Sequence, residues 1–153
     1  MPRVSSIEIL KQMKQPTIAI RTRTKVDDLP MLIGQSYGRL GAYLHELGEF
    51  MTDVPYVAYH NMDMENLDVE IGFPVFRELP EKDDIKAGFI EEGKALFCMY
   101  RGSYQEMGPV YDEMAKWIND NGYESKGMSY EYYYNGPGFP ESEYLTKIIM
   151  PLK

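Results

Sequence analysis

Glu131 is the side chain in this sequence best placed to do chemistry. It stands in Ser129-Tyr130-Glu131-Tyr132-Tyr133-Tyr134. Read as a strand, this stretch puts Glu131 and Tyr133 on one face and Tyr130, Tyr132 and Tyr134 on the other. If the Glu131 face lines a cleft, desolvation raises the carboxyl pKa, while a bound organic cation favours the ionised form and tyrosine faces add cation–π attraction. The competing reading is an exposed strand glutamate whose aromatic neighbours only pack. Met99 and Met128 could give such a pocket an adaptable lining, since thioethers repack around differently shaped ligands; otherwise they are core.

Other motifs carry less. Gly34-Gln35-Ser36-Tyr37-Gly38 spells the nucleophile elbow of α/β-hydrolases. That motif needs a strand-to-helix turn, and here it falls inside a helical stretch. His45 and His60 are the only histidines and lack the clustered spacing of a zinc site. Asp63-Met64-Glu65-Asn66 and Glu91-Glu92 read as solvated acidic loops without calcium-loop spacing. No phosphate-binding glycine loop is present, and no cofactor is expected.

The elements that position Glu131 follow from periodicity. From Asp28 to Phe50 apolar residues recur every three or four positions (Leu29, Leu32, Ile33, Tyr37, Leu40, Leu44, Leu47), with Pro30 in the first turn and Gly48 as terminator. Met107, Tyr111, Met114, Trp117 and Ile118 form a second stripe, closed by Gly122. Extended segments precede the helices (17–24 and 94–101), and two more follow each (55–60 and 67–73; 128–134 and 144–150). The pattern is strand, helix, strand, strand, twice. A shift of 74 residues lays Tyr37 on Tyr111, Gly48 on Gly122, Tyr56 on Tyr130 and Tyr59 on Tyr133, which predicts an internal duplication. Tyr59 thereby becomes a second candidate for the wall of a shared groove. The halves run over about 4–75 and 85–153, joined by a charged linker at 76–84, with an outer strand at 85–90. A single α+β domain is expected, with antiparallel sheets, helices on one side, and a ligand groove where the uncovered faces of the halves meet.

The whole chain narrows the partners. At 153 residues it is long enough to bury a core of its own. A formal net charge of -8 without a basic cluster argues against nucleic acid. The lone cysteine, Cys98, excludes an internal disulfide, and no apolar run is long enough for a signal peptide or a membrane span. A cytoplasmic protein is the expectation.

Six segments stand in a telling order: Gln15 to Arg23, Pro55 to Asn61, Asp68 to Val75, Arg101-Gly102-Ser103-Tyr104, Tyr130 to Tyr133 and Thr146 to Pro151. In that order and spacing they resemble the GyrI-like family of effector-binding domains known from AraC-type and MerR-type multidrug regulators. Gly102-Ser103-Tyr104 departs from the Gly-Pro-Tyr common in the family. The resemblance implies duplicated strand-helix-strand-strand (SHS2) modules and places the acidic pocket residue at Glu131. The implied function is binding of amphipathic, often cationic small molecules as a sink or sensor. It also implies two alternatives. One is hydrolysis of electrophilic cyclopropane-containing compounds, with Glu131 as general base and Tyr133 as hydrogen-bond donor. The other is interaction with DNA gyrase, for which no residue of the sequence is specific.

Overall fold

The computed structural model describes residues 3–153. Among them the order is β1 (Glu8–Gln12), β2 (Gln15–Thr24), α1 (Leu29–Leu47), β3 (Tyr56–Tyr59), β4 (Leu67–Pro74), β5 (Lys86–Ile90), β6 (Gly93–Arg101), α2 (Gly108–Asp120), β7 (Ser129–Tyr133) and β8 (Leu145–Pro151). The fold is α+β, and the strand-helix-strand-strand pattern is present twice, as β2-α1-β3-β4 and β6-α2-β7-β8. Gly48 ends α1 in the left-handed conformation (φ 69°), as the helix pattern predicts. The second helix begins later than its apolar stripe. Tyr104–Glu106 form a separate 3-10 turn, and Pro109 occupies the first turn of α2, where a missing N–H costs nothing. The Gly34-to-Gly38 motif lies wholly inside α1.

The chain divides into two compact units, Met13–Glu92 and Gly93–Lys153 together with the chain up to Gln12. In the first, the antiparallel strand order is β3-β4-β2-β5. In the second it is β7-β8-β6-β1, the same order element by element. The outermost strands come from the other repeat. β1 precedes β2 in sequence but pairs with β6, Gln12 opposite Gly93; β5 precedes β6 but pairs with β2, Ile90 opposite Gln15. The sequence reading contains the outer strand β5 but not β1, and hydrophobic alternation carries no information on which edge a short outer strand will choose.

Each helix covers one face of its own sheet. Tyr37 of α1 lies with its ring centroid 5.5 Å from that of Phe73, so Phe73, Ile71 and Val69 of β4 face α1. Val110, Met114 and Ile118 of α2 share a core with Leu96, Cys98, Ile148 and Met150. Burial pushes the Cys98 thiol up to about 11, and its sulfur rests 3.7 Å from Met114 Sδ, so this cysteine is packing.

Gly72 fixes the opposite face of the first unit. A Cβ there would lie 2.6 Å from the Tyr56 hydroxyl and 2.9 Å from the Ile18 carbonyl oxygen. Tyr56 is fully buried and donates to Glu70 at 2.6 Å, so neither neighbour can yield. Gly72→Ala is expected to destabilise the protein by about 1–3 kcal/mol, read as a lower midpoint in urea with an unchanged slope.

Candidate functional site

β7 presents Glu131 to α2. Its register partner is Ile148, a member of the core under that helix, and the Tyr111 hydroxyl of α2 donates to Glu131 Oε2 at 2.5 Å. The Tyr133 hydroxyl donates to Oε1 at 2.7 Å. Tyr111 also lies 3.3 Å from Ser129 Oγ. Glu131 is 9% exposed, and burial raises its carboxyl pKa despite the two phenol hydrogen bonds that favour the charged form. Among the described residues no guanidinium or ammonium pairs with it. The alternation placing Glu131 and Tyr133 together is therefore correct. The face they share is the one packed on the helix, whereas the groove expected from sequence uses the uncovered faces. A buried carboxylate needs donors, and α2 supplies one.

Aromatic rings continue outward from this carboxylate. Tyr133 and Tyr104 meet edge-on with centroids 5.4 Å apart, and Tyr104 stacks on Tyr144 at 5.1 Å. Tyr104 is 44% exposed. Its phenol is nevertheless pushed up to about 12 by desolvation, then by Tyr144 and Glu131. Thr146, beside Tyr133 in the register of β7 and β8, is fully buried, and its hydroxyl has no hydrogen-bond partner among the described residues.

The duplication supplies an internal control. Val57 opposite Ile71 in β3 and β4 corresponds to Glu131 opposite Ile148, and Val57 is fully buried. At this position the fold is content with an apolar side chain.

The other candidates from sequence are placed apart from the carboxylate. Tyr59 belongs to the first unit, half-buried on the α1 face of β3. Met99 is opposite Lys147, in alternation with the core residues Cys98 and Tyr100, and so on the face of β6 turned from α2. Met128 directly precedes β7 and alternates with Tyr130 and Tyr132, on that same outer face. Tyr111, Tyr104 and Tyr144 are the members that sequence reasoning left out as site residues. The helix stripe through Tyr111 was the available signal.

A second partly buried carboxylate, Glu70, differs in kind. Tyr56 donates to one oxygen and His60 Nε2 lies 3.1 Å from the other. Burial pushes its pKa up, but the bonds from His60 and Tyr56 and the charges of His60 and Arg21 outweigh that and hold it below the usual range. Glu70 is balanced where it stands. An open groove of about 530 Å³ along the connection from β4 to β5 is lined by Arg77, Glu78, Leu79, Pro80, Glu81 and Ala87, none of them a site candidate. No His, Cys, Asp and Glu group suited to a metal occurs among the described residues.

The sequence profile described as the GyrI-like small molecule binding domain matches residues 5–153, nearly the whole chain. The chain belongs to the GyrI-like family. Solved structures share the fold of this GyrI-like domain. EcmrR in its complex with DNA superposes with a TM-score of 0.84 at 20% identity over 97% of this chain. This chain spans 57% of that one. A hydrolase from Listeria innocua gives 0.74 at 14% identity over 100% of this chain and 94% of its own. SAV2435 bound to tetraphenylphosphonium gives 0.67 at 12% identity over 97% and 94%. No curated protein matches the sequence significantly. Among the described residues no helix of the GyrI-like domain is long and apolar enough to cross a membrane.

Proposed function

We propose that this GyrI-like domain binds amphipathic organic cations, with ionised Glu131 as counter-charge and the rings of Tyr111, Tyr133 and Tyr104 as the aromatic enclosure. One observation carries the reading: a buried carboxylate whose two oxygens rest on neutral phenols, at a position where the other repeat buries a valine. An unpaired buried charge is costly. Folding does not call for it here, and a cation of low hydration would supply the missing partner while the ring faces add their own attraction. SAV2435, a protein of the same fold, has a solved structure bound to tetraphenylphosphonium, a ligand of that class. Thr146 offers a hydroxyl to any polar substituent. The test is calorimetric titration of tetraphenylphosphonium into wild type and Glu131→Gln. Binding that the substitution leaves unchanged would sink the reading.

A second reading rests on the raised carboxyl pKa together with the Tyr133 hydroxyl 2.7 Å away. A carboxylate of increased basicity can take a proton from water as the water oxygen attacks an electrophilic ring carbon; the carbon–carbon bond opens, its electron pair passes to a conjugated carbonyl oxygen that accepts from a tyrosine, and the proton held on Glu131 then passes to the enolate carbon, so that one water is added overall. The hydrolase from Listeria innocua has the same fold. Incubation with a carbonyl-conjugated cyclopropane and mass analysis of the product separates the two readings: gain of one water, absent in Glu131→Gln, favours hydrolysis, and an unaltered compound removes it.

A further inference from the structure

We propose that Thr146 selects among cations: the ligand held at Glu131 carries a hydrogen-bonding oxygen on a short arm, and that oxygen meets the Thr146 hydroxyl. The inference rests on the cation-binding reading of Glu131 and deepens it. Thr146 lies in β8 between two aromatic neighbours, opposite Tyr133 of β7 and Tyr100 of β6. Ile148 and Met150 belong to the core under α2, and alternation puts Thr146 on the same face. Tyr144, two residues earlier in extended backbone, stacks on Tyr104, which meets Tyr133 edge-on. Thr146 thus shares its face with the rings next to the carboxylate.

Thr146 is fully buried, and among the described residues its hydroxyl has no hydrogen-bond partner. A buried hydroxyl left unpaired costs stability. Valine has nearly the same shape without that cost, and the other repeat uses it. Tyr59 opposite Val69 in β3 and β4 corresponds to Tyr133 opposite Thr146, and Val69 is fully buried as well. Glu131 and Thr146 therefore stand where the first unit buries Val57 and Val69, and packing accounts for neither. Glu131 is opposite Ile148, which makes Thr146 its diagonal neighbour, about 7–8 Å away along the backbone. That spacing defines the ligand. A threonine hydroxyl both donates and accepts, so an alcohol, ether or carbonyl oxygen would satisfy it, whereas a hydrocarbon arm would leave it unpaired. A cation with its charge at the carboxylate and its oxygen about four bonds away spans the two groups. Among the described residues Thr17 also buries an unpartnered hydroxyl, but it belongs to β2, opposite Pro74 and Gly88, on the face turned from α1, and supplies a control.

Calorimetric titration of two matched cations, hydroxypropyl-triphenylphosphonium and butyl-triphenylphosphonium, tests the assignment, because they differ only by a hydroxyl in place of a methyl. The ratio of their affinities, hydroxypropyl over butyl, should fall by about tenfold to a hundredfold from wild type to Thr146→Val. The same substitution should raise the thermal midpoint of the ligand-free protein by about 2–6 °C. Thr146→Ser keeps the hydroxyl and should hold the ratio near that of wild type, while the lost methyl lowers the midpoint. Thr17→Val should raise the midpoint and leave the ratio alone. An unchanged ratio in Thr146→Val, an equal fall in Thr146→Ser or Thr17→Val, or a midpoint lowered by Thr146→Val would each overturn the proposal. Binding that depends on Glu131 with a ratio indifferent to Thr146 removes this inference alone. Affinities that Glu131→Gln leaves unchanged remove the cation reading, and a wild type that binds neither compound removes both.

Discussion

Glu131→Gln is expected to weaken tetraphenylphosphonium binding by about two to three orders of magnitude without loss of stability. The affinity term follows from the environment. A cation beside a carboxylate in a site of low effective dielectric gains far more than a surface pair does, and removing one partner of such a pair costs about 2–5 kcal/mol, where 1.4 kcal/mol is tenfold. The aromatic contacts survive the substitution and leave residual binding. The stability term goes the other way. In the ligand-free protein the carboxylate is desolvated and, among the described residues, accepts its side-chain hydrogen bonds from Tyr111 and Tyr133. Glutamine keeps one acceptor, and its amide can donate to the other phenol, which both donates and accepts. The midpoint of thermal unfolding near neutral pH should stay level or rise. A coupled fall in affinity and midpoint would mean that Glu131 serves the fold, and the binding reading would lose its basis.

The pairing of Glu131 with Tyr133 was legible because it needs only strand alternation, which any local stretch displays. Which face of β7 meets the helix was not legible. Period two sorts residues into two sets and says nothing about which set packs. Met99 belongs to β6, whose packed face alternation leaves open, whereas Met128, three residues before Glu131, already falls in the other alternation set; α2 covers neither. Tyr111 lay in view as part of an apolar helix stripe, but its hydroxyl reaches Glu131 only through the packing of α2 on β7, 20 residues apart in sequence. The duplication itself was visible in the tyrosines and glycine terminators. Its most useful consequence, that Val57 stands where Glu131 does, follows from the same 74-residue shift and gains force only when Val57 is seen to be buried. The exchange of β1 and β5 between repeats depends on tertiary pairing and leaves no trace in either strand's composition.

Acidification should separate the two buried carboxylates and tie ligand binding to a proton. Glu131 has a raised pKa because burial disfavours its charged form. Only the ionised form attracts a cation, so affinity for tetraphenylphosphonium should be flat at high pH and fall about tenfold per pH unit below the Glu131 pKa. The fall begins above the range where an exposed glutamate titrates. Tyr111→Phe removes a hydrogen bond that favours the ionised form and should move the onset to still higher pH; Glu131→Gln should abolish the dependence. Stability of the ligand-free protein obeys the opposite sign. A carboxyl whose folded pKa is raised contributes stability that is complete below its unfolded pKa and disappears as pH climbs through the folded one. Glu70, whose pKa is lowered, contributes stability above its unfolded pKa that disappears only as pH falls below the usual glutamate range. Between these windows, the thermal midpoint of wild type minus that of Glu131→Gln should increase as pH is lowered from neutral, because the subtraction cancels Glu70. Calorimetric titration in buffers of different ionisation enthalpy supplies the independent check: as pH approaches the Glu131 pKa from above, cation binding should release a growing fraction of a proton. Proton uptake, or an unchanging midpoint difference, would show that Glu131 is not the group that meets the cation.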